Sequence, residues 1–447
     1  MPPPSAQTPT PPRPVAVLGA GLAGLCCALE LQAAHIPVIL IEQSDATGGR
    51  MRTDHLDGFL LDRGFQVFLT AYPTAKAVLD YPALDLCPFE PGAQVFAEGA
   101  MQTMLDPWRR PGSLIDGALA KVGTLADKLR VGAMRARLQR QSEAERFAKP
   151  ETTILAALTA EGFSPTMIDR FFRPFFGGIF FDTDLAGSSR MMDFVFKCFS
   201  LGDAAVPRLG MQQIPQQLVA RLAPGTLRLN TRVEAIDGQH VHCVSKSTGQ
   251  RETLETSAIV NAATDCLFLP RAQGVPGQHD RSWKSVTNIY FAGTGEPPIK
   301  GPILVLDGER SRRGPAANVV CMSNVSSAYA PAGSFLLSCS LIGLHGTDAD
   351  TVAEDQTRAQ LAHWFGPTLA ASLRHLRTYR IDKALPDQTA PYYTRQSWPS
   401  LVRPGLYAAG DTHDTASIDG AMASGLRAAR EIIADFTHTA ATTKAAT

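Results

Sequence analysis

The chain has 447 residues, 45% of them hydrophobic, with 42 Lys plus Arg against 42 Asp plus Glu. That length builds two ordinary domains or one composite body with a large core. A formal net charge of zero leaves no basic excess to neutralise phosphates, which argues against a nucleic-acid partner.

The opening MPPPSAQTPTPPRP is proline-rich, lacks the apolar core of a signal peptide, and reads as a disordered leader over residues 1–13. Next comes a buried-strand run, Val15-Ala16-Val17-Leu18, then Gly19-Ala20-Gly21-Leu22-Ala23-Gly24 and a helix-like LCCALELQAAH. This is a G-x-G-x-x-G fingerprint with a strand before it and a helix after it, the context that gives the motif meaning. Gly19 permits the tight turn, Gly21 lets backbone approach a pyrophosphate, and Gly24 lets helix and strand pack closely. The pyrophosphate would sit at the helix N-terminus, beside Leu22 and Ala23, where free N–H groups favour negative charge. A second strand, Pro37 to Ile41, ends at Glu42, where a carboxylate can take both hydroxyls of an unphosphorylated ribose.

Asp45 to Thr53 adds a second glycine pair, Gly48-Gly49, followed by Arg50. Paired glycines expose backbone N–H groups to a further stretch of phosphate or ribityl chain, and Arg50 adds positive charge. This G-G-R-x-x-T element resembles that of a flavoprotein superfamily: flavin amine oxidases, phytoene desaturases and protoporphyrinogen oxidases. The resemblance implies FAD, held non-covalently, since no cysteine between Asp411 and Gly425 could carry a flavin link. It also implies that the segment at Gly64, Phe65 and Gln66 passes close to the isoalloxazine ring. The stretch Leu227 to Ile236 reads as one strand, and the resemblance lays its Val233 against adenine.

The middle of the chain differs in character. From Val122 to Ala136, apolar residues Val122, Leu125, Ala126, Leu129, Ala133 and Ala136 recur along one helical face, opposite Lys121, Lys128, Arg135 and Arg137. A basic amphipathic helix can make peripheral contact with an anionic membrane, and the solvated face of a globular helix has the same pattern. RFFRPFFGGIFFD, Arg170 to Asp182, holds six phenylalanines that can form core, a substrate channel or a membrane contact. GPILVLD, NVVCMSN and SFLLSCSLIG read as strands of a mainly antiparallel sheet. No second dinucleotide fingerprint and no C-x-x-C appears, so electrons would come from the substrate and leave to oxygen, a quinone or another acceptor. The eight cysteines read as reduced thiols of a cytoplasmic protein, and no metal site is expected.

Near the end, Lys383 lies in an A-L-P element that the resemblance places beside the flavin, and His413 is the other ionisable candidate for catalysis. Each also reads as an ordinary turn or loop residue. GLYAAGD supplies a strand, then Gly410 and Asp411, and Gly420-Ala421-Met422 opens a helix expected to cover the flavin's pyrimidine edge. Ser417 stands where amine oxidases of the superfamily more often place an aromatic ring.

The fold expected is therefore α/β: a discontinuous Rossmann-like FAD-binding domain over 14–95, 205–280 and 390–437. A substrate domain of helical cap plus sheet would cover 96–204 and 281–389, with a flexible tail over 438–447. The expected activity is an FAD-dependent oxidation of an apolar small molecule, desaturase-like on a carotenoid, isoprenoid or tetrapyrrole. An amine oxidase, or an isomerase in which FAD gives no net redox change, is the alternative.

Overall fold

The computed structural model describes residues 13–445 apart from 114–116, 118, 265–281, 310–312, 348–350 and 395–397. The leader before Arg13, and Cys266, lie outside the described residues. The chain divides into two units, one of Met1–Gly49, Leu218–His279 and Pro399–Thr447, the other of Arg50–Gln217 and Asp280–Trp398. Segments 50–95, 205–217 and 390–398, expected with the FAD-binding domain, group with the second unit.

The first unit is built on a six-stranded sheet in the order Leu227–Arg228, Val38–Ile41, Val15–Leu18, Ala258–Asn261, Leu406–Ala408, Leu401–Arg403. All neighbours are parallel except the last pair. The central strands read as unbroken apolar runs because both faces are covered, as parallel sheets require. A three-stranded antiparallel sheet, Thr231–Asp237, His240–Ser245 and Arg251–Glu255, contributes Val241 and Cys243 to the same core as Ala16, Ile39 and Ile259. The expected single strand Leu227 to Ile236 is thus two. Asn230, at φ 51°, turns the chain out of the parallel sheet, a left-handed conformation that asparagine tolerates better than most residues. The closing helix Ile418–Ala445 begins two residues before Gly420 and runs on into the stretch from 438 that the sequence assigns to a tail.

The second unit centres on a seven-stranded sheet in the order Arg374–Pro386, Trp283–Thr294, Ser334–Ile342, Ala316–Cys321, Leu304–Asp307, Gly92–Ala97, Ala100–Leu105. Only Leu304–Asp307 and Gly92–Ala97 pair in parallel. Its core includes Phe96, Ile289, Phe291, Val319, Phe335 and Leu337, and the helix Val352–Phe365 packs Leu361 and Trp364 into it.

Helix Leu125–Arg140 departs from its hydrophobic pattern. It buries Asp127, Met134 and Leu138, while Leu125 and Leu129 are 63% and 69% exposed. The inward anchor is a carboxylate. Asp127 Oδ2 accepts bonds from the Thr124 N–H and hydroxyl and from the Ser164 hydroxyl, and its Oδ1 accepts from the Ser164 N–H. Burial raises the Asp127 pKa, but these bonds together outweigh it and bring it down to about 2. Hydrophobic periodicity reads such a residue as solvated.

Candidate cofactor and substrate site

In the first unit the fingerprint forms as its glycines dictate. Gly19 has φ 98°, and a Cβ there would lie 3.1 Å from the backbone of Ala262 and Ala263. A Cβ on Gly24 would overlap the Gly19 carbonyl oxygen, so only glycine lets helix Leu22–Ala33 start this close to its strand. Nothing lies within 4 Å of the Cβ position of Gly21, which leaves open space in front of the helix. Gly21 is also the N-cap, with no side chain to bond the first-turn N–H groups and no acid in that turn. The first intrahelical bond in the turn runs from Leu25 N–H to the Gly21 carbonyl, so the N–H groups of Leu22, Ala23 and Gly24 point toward that space.

The acidic residue is fixed as firmly. Glu42 is 8% exposed, and its carboxylate accepts from Ala20 N–H and Ser44 N–H, each at 2.8 Å. A carboxylate has about four acceptor sites, so roughly two remain for ribose hydroxyls. The Gly48 N–H donates to the Ala20 carbonyl at 2.8 Å, and a Cβ on Gly49 would stand 3.6 Å from Gly21 Cα. The second glycine pair therefore borders the same opening as the first. Val233 is half-buried against the core beneath the parallel sheet. At the C-terminal end of strand Ala258–Asn261, Asn261 is buried and its Nδ2 has no hydrogen-bond partner, a feature the sequence did not single out.

The closing segment completes this unit. Gly410, at φ 140°, donates its N–H to the Ser424 hydroxyl, and Asp411 is buried in the short turn Asp411–His413. His413 is buried with Nδ1 3.0 Å from the Thr412 hydroxyl, and its carbonyl accepts from Arg427 at 2.7 Å. The Ser417 hydroxyl accepts from the Gly420 N–H at 3.0 Å and so caps the closing helix. A Cβ on Gly420 would overlap the Thr415 carbonyl, Ala421 N–H bonds the Ser417 carbonyl, and Met422 is fully buried. With that cap in place and Asp419 in the first turn, this helix start offers less to an anion than the one at Gly21.

In the second unit, four predicted positions, Arg50, Gly64, Gln66 and Lys383, come together. Arg50 donates from Nη1 to the Ala384 carbonyl at 3.0 Å and lies over the Trp283 ring at 5.5 Å. The Gln66 amide donates to the Arg50 carbonyl at 2.8 Å. Gly64 has φ 90°, and a Cβ there would stand 2.7 Å from Ile381 Cδ1. Lys383 is half-buried on the bulge where strand Arg374–Pro386 slips register against Trp283–Thr294, between Ile381 and Leu385. Bulges of this kind re-aim side chains beside functional sites. Behind Gly64, buried Asp62 accepts from Thr53 Oγ1, Met211 N–H and Tyr329 OH, and Tyr290 OH bonds its carbonyl. Burial raises the Asp62 pKa against those bonds.

The same unit holds an open cavity of about 750 Å³. The phenylalanine-rich stretch divides between core and cavity. Phe172, Phe176 and Phe180 are buried and stacked in sequence, while Phe171 and Phe175 line the cavity with Phe65, Phe89 and Phe199. A wide five-residue turn, Ile168–Phe172, precedes helix Arg173–Phe180 and sets that phase. The exposed Leu125, Leu129 and Trp108 line the cavity too, together with Lys128 and Arg135.

Comparison with known proteins agrees with this geometry. The profile of flavin containing amine oxidoreductases matches residues 22–433. The chain belongs to that family. It is an FAD-dependent oxidoreductase of α/β fold, and the glycine cradle, Glu42 and the uncapped N–H groups at Gly21 suit such a dinucleotide. Two phytoene desaturases (lycopene-forming) match short segments. The one from Pantoea ananas is 50% identical over 52 residues, 12% of this chain and 11% of its own. The one from Pseudescherichia vulneris is 48% identical over 63 residues, 14% of this chain and 12% of its own. These matches thus span about an eighth or less of the relatives' length. Among solved structures, a putative protoporphyrinogen oxidase from Exiguobacterium sp. 255-15 aligns with TM-score 0.70 and 16% identity over 95% of this chain and 99% of that one. A reduced UDP-galactopyranose mutase gives 0.68 and 17% over 94% and 96%, and putrescine oxidase bound to putrescine gives 0.64 and 17% over 95% and 100%. At such identity these structures establish the fold. Among the described residues no helix is long and apolar enough to cross a membrane, and no cluster of metal-ligating side chains occurs.

Proposed function

We propose that this flavoenzyme oxidises an extended apolar small molecule, desaturase-like, of the carotenoid, isoprenoid or tetrapyrrole kind. The observation that carries this reading is the 750 Å³ cavity walled by Phe65, Phe89, Phe171, Phe175, Phe199 and Trp108. Phe65 follows Gly64 directly, in the segment that the resemblance sets beside the isoalloxazine ring. The bound flavin supplies a hydride acceptor. The chain's own part is positioning: aromatic walls exclude water and hold the reacting carbon. Arg50, tied to the Ala384 carbonyl, fixes the bulge that carries Lys383, whose side chain would hold a water or proton near the ring. Electrons then leave to oxygen, a quinone or another acceptor. The short matches to phytoene desaturases point the same way.

Anaerobic mixing with a panel of polyenes, isoprenoids, porphyrinogens and primary amines tests this. Lasting bleaching of the flavin absorption by an apolar compound is the expected result. Bleaching by amines alone would overturn it in favour of an amine oxidase, and substrate conversion without bleaching in favour of an isomerase.

A specific observation supports delivery from a membrane. Trp108, Leu125 and Leu129 are exposed at the cavity while Lys128 and Arg135 line it, a combination suited to an anionic bilayer surface. Co-sedimentation with phosphatidylglycerol vesicles, weakened in Leu125→Ser/Leu129→Ser, is expected. No sedimentation of the wild-type protein would count against it.

A further inference from the structure

One side chain in the cavity is out of keeping with its walls. Asn318, on strand Ala316–Cys321, lines the cavity, is 3% exposed, and has a buried Oδ1 with no hydrogen-bond partner. Its cross-strand neighbours are Leu306 on one side and Ser340 on the other. Ser340 could have served it, but the Ser340 hydroxyl turns away and donates to Asn288 Oδ1 at 3.1 Å, as does Ser338. The two buried asparagines of this row differ: the acceptor of Asn288 is bonded twice and its Nδ2 is unmet, whereas the Oδ1 of Asn318 has no partner, on a side chain that lines the cavity with Phe171, Phe175 and Ile179.

An unmet carboxamide oxygen in an apolar wall is costly, and a valine or leucine there would be cheaper if only packing mattered. The helix above it is also shaped around the amide. A Cβ on Gly178 would lie 2.6 Å from Asn318 Nδ2, so glycine at this position in helix Arg173–Phe180 clears the space the amide occupies. Glycine inside a helix is itself disfavoured relative to alanine. Two unfavourable choices, made by residues that face each other inside a ligand-sized cavity, are explained together if a ligand completes the bonding.

We infer that the substrate is not a pure hydrocarbon: it is an extended apolar molecule carrying a hydroxyl group, which Asn318 binds within the cavity. A hydroxyl both donates and accepts, so it meets the carboxamide whichever way the amide is turned. The inference rests on the apolar-cavity reading above and narrows its substrate class. Asn318 selects and positions the molecule and takes no part in the chemistry at the flavin.

The test uses the holoenzyme and a matched pair, farnesol and farnesene, which share a skeleton and differ by one hydroxyl. Each displaces the hydrocarbon fluorophore diphenylhexatriene from wild-type protein, Asn318→Leu and Gly178→Ala. Comparing the farnesol-to-farnesene preference between proteins cancels the different water solubility of the two ligands. Loss of one neutral hydrogen bond should lower that preference roughly three- to tenfold in Asn318→Leu. Diphenylhexatriene and farnesene should bind that variant as well as before or better. Gly178→Ala, which favours its helix but crowds the amide, should lower the preference in the same direction, and it decides the matter if Asn318→Leu does not fold. An unchanged preference in the folded variants would overturn the role of Asn318 while leaving the apolar cavity intact. Diphenylhexatriene that fails to bind wild-type protein would overturn both.

Discussion

The turn at Gly19 to Gly24 and the helix at Arg173 to Phe180 are both glycine-containing stretches that build a site, and they do so in opposite ways. In the first, side chains are missing so that backbone can touch backbone and leave N–H groups in front of open space. In the second, side chains are crowded: Phe172, Phe176 and Phe180 form core while Phe171 and Phe175 wall a cavity. A site made of backbone tolerates no side chain where a Cβ would meet other backbone, as at Gly19 and Gly24. A site made of packed rings tolerates change in proportion to how deeply each ring is buried.

The largest effect expected from that contrast is at Gly24. A β-branched side chain in Gly24→Val would collide with the Gly19 carbonyl, and helix Leu22–Ala33 could not start where it does. The variant should purify with no measurable flavin, read as the ratio of absorbance near 450 nm to that at 280 nm. A normal ratio would show that the turn can open without losing the cofactor.

Next come the phenylalanines, where neighbours should separate. Phe172→Ala removes a fully buried ring stacked on Phe176 and edge-on to Phe163, and should cost about 3–5 kcal/mol in denaturant unfolding. Phe175→Ala removes a half-buried ring at the cavity and should cost nearer 1 kcal/mol. Phe175→Ala should instead weaken binding of an apolar fluorophore, which Phe172→Ala leaves in place as long as the protein is folded. Equal stability losses would mean that the division between core and cavity wall is wrong.

How much of this was legible in the sequence follows the same contrast. Gly19, Gly21, Gly24, Glu42, Gly48 and Gly49 could be read because the backbone geometry that requires them is local and allows few other residues. Three strands of the seven-stranded sheet, Leu304–Asp307, Ala316–Cys321 and Ser334–Ile342, were visible as apolar runs between turns, but the break at Asn230 was not, since apolar pattern continues across it. The inward side of helix Leu125–Arg140 was not legible for a physical reason. Its apolar residues serve a cavity, and its buried anchor is the carboxylate of Asp127, satisfied by Thr124 and by Ser164 from a separate turn. No local pattern announces a partner that far along the chain. Asn318 opens NVVCMSN, which read only as a strand, because an unmet hydrogen bond is a property of the folded wall.

Asp127 gives a prediction of intermediate size. Its folded pKa is below the unfolded value of 3.8, so the carboxylate contributes stability above pH 4 that is lost as pH falls toward 2. Asp127→Asn should therefore destabilise the protein by about 2 kcal/mol at neutral pH, with the difference from wild type shrinking on acidification. A difference that stays constant with pH would assign the effect to packing instead of to charge.

Asp307 should behave in the reverse sense, with the smallest effect. It is buried, and desolvation pushes its pKa up to about 6, although N–H groups of Gly314 and Glu309 pull the other way. A carboxyl whose folded pKa lies above 3.8 favours folding in its protonated form, so its contribution is complete below that value and lost as pH rises through 6. Wild-type stability should then fall by about 1 kcal/mol between pH 5 and pH 7 from this group alone. Asp307→Asn, which keeps the shape but cannot ionise, should remove that slope while Asp127→Asn retains it. If both variants keep the slope, the buried carboxyl in the sheet and the capped one in the helix do not differ as their surroundings require.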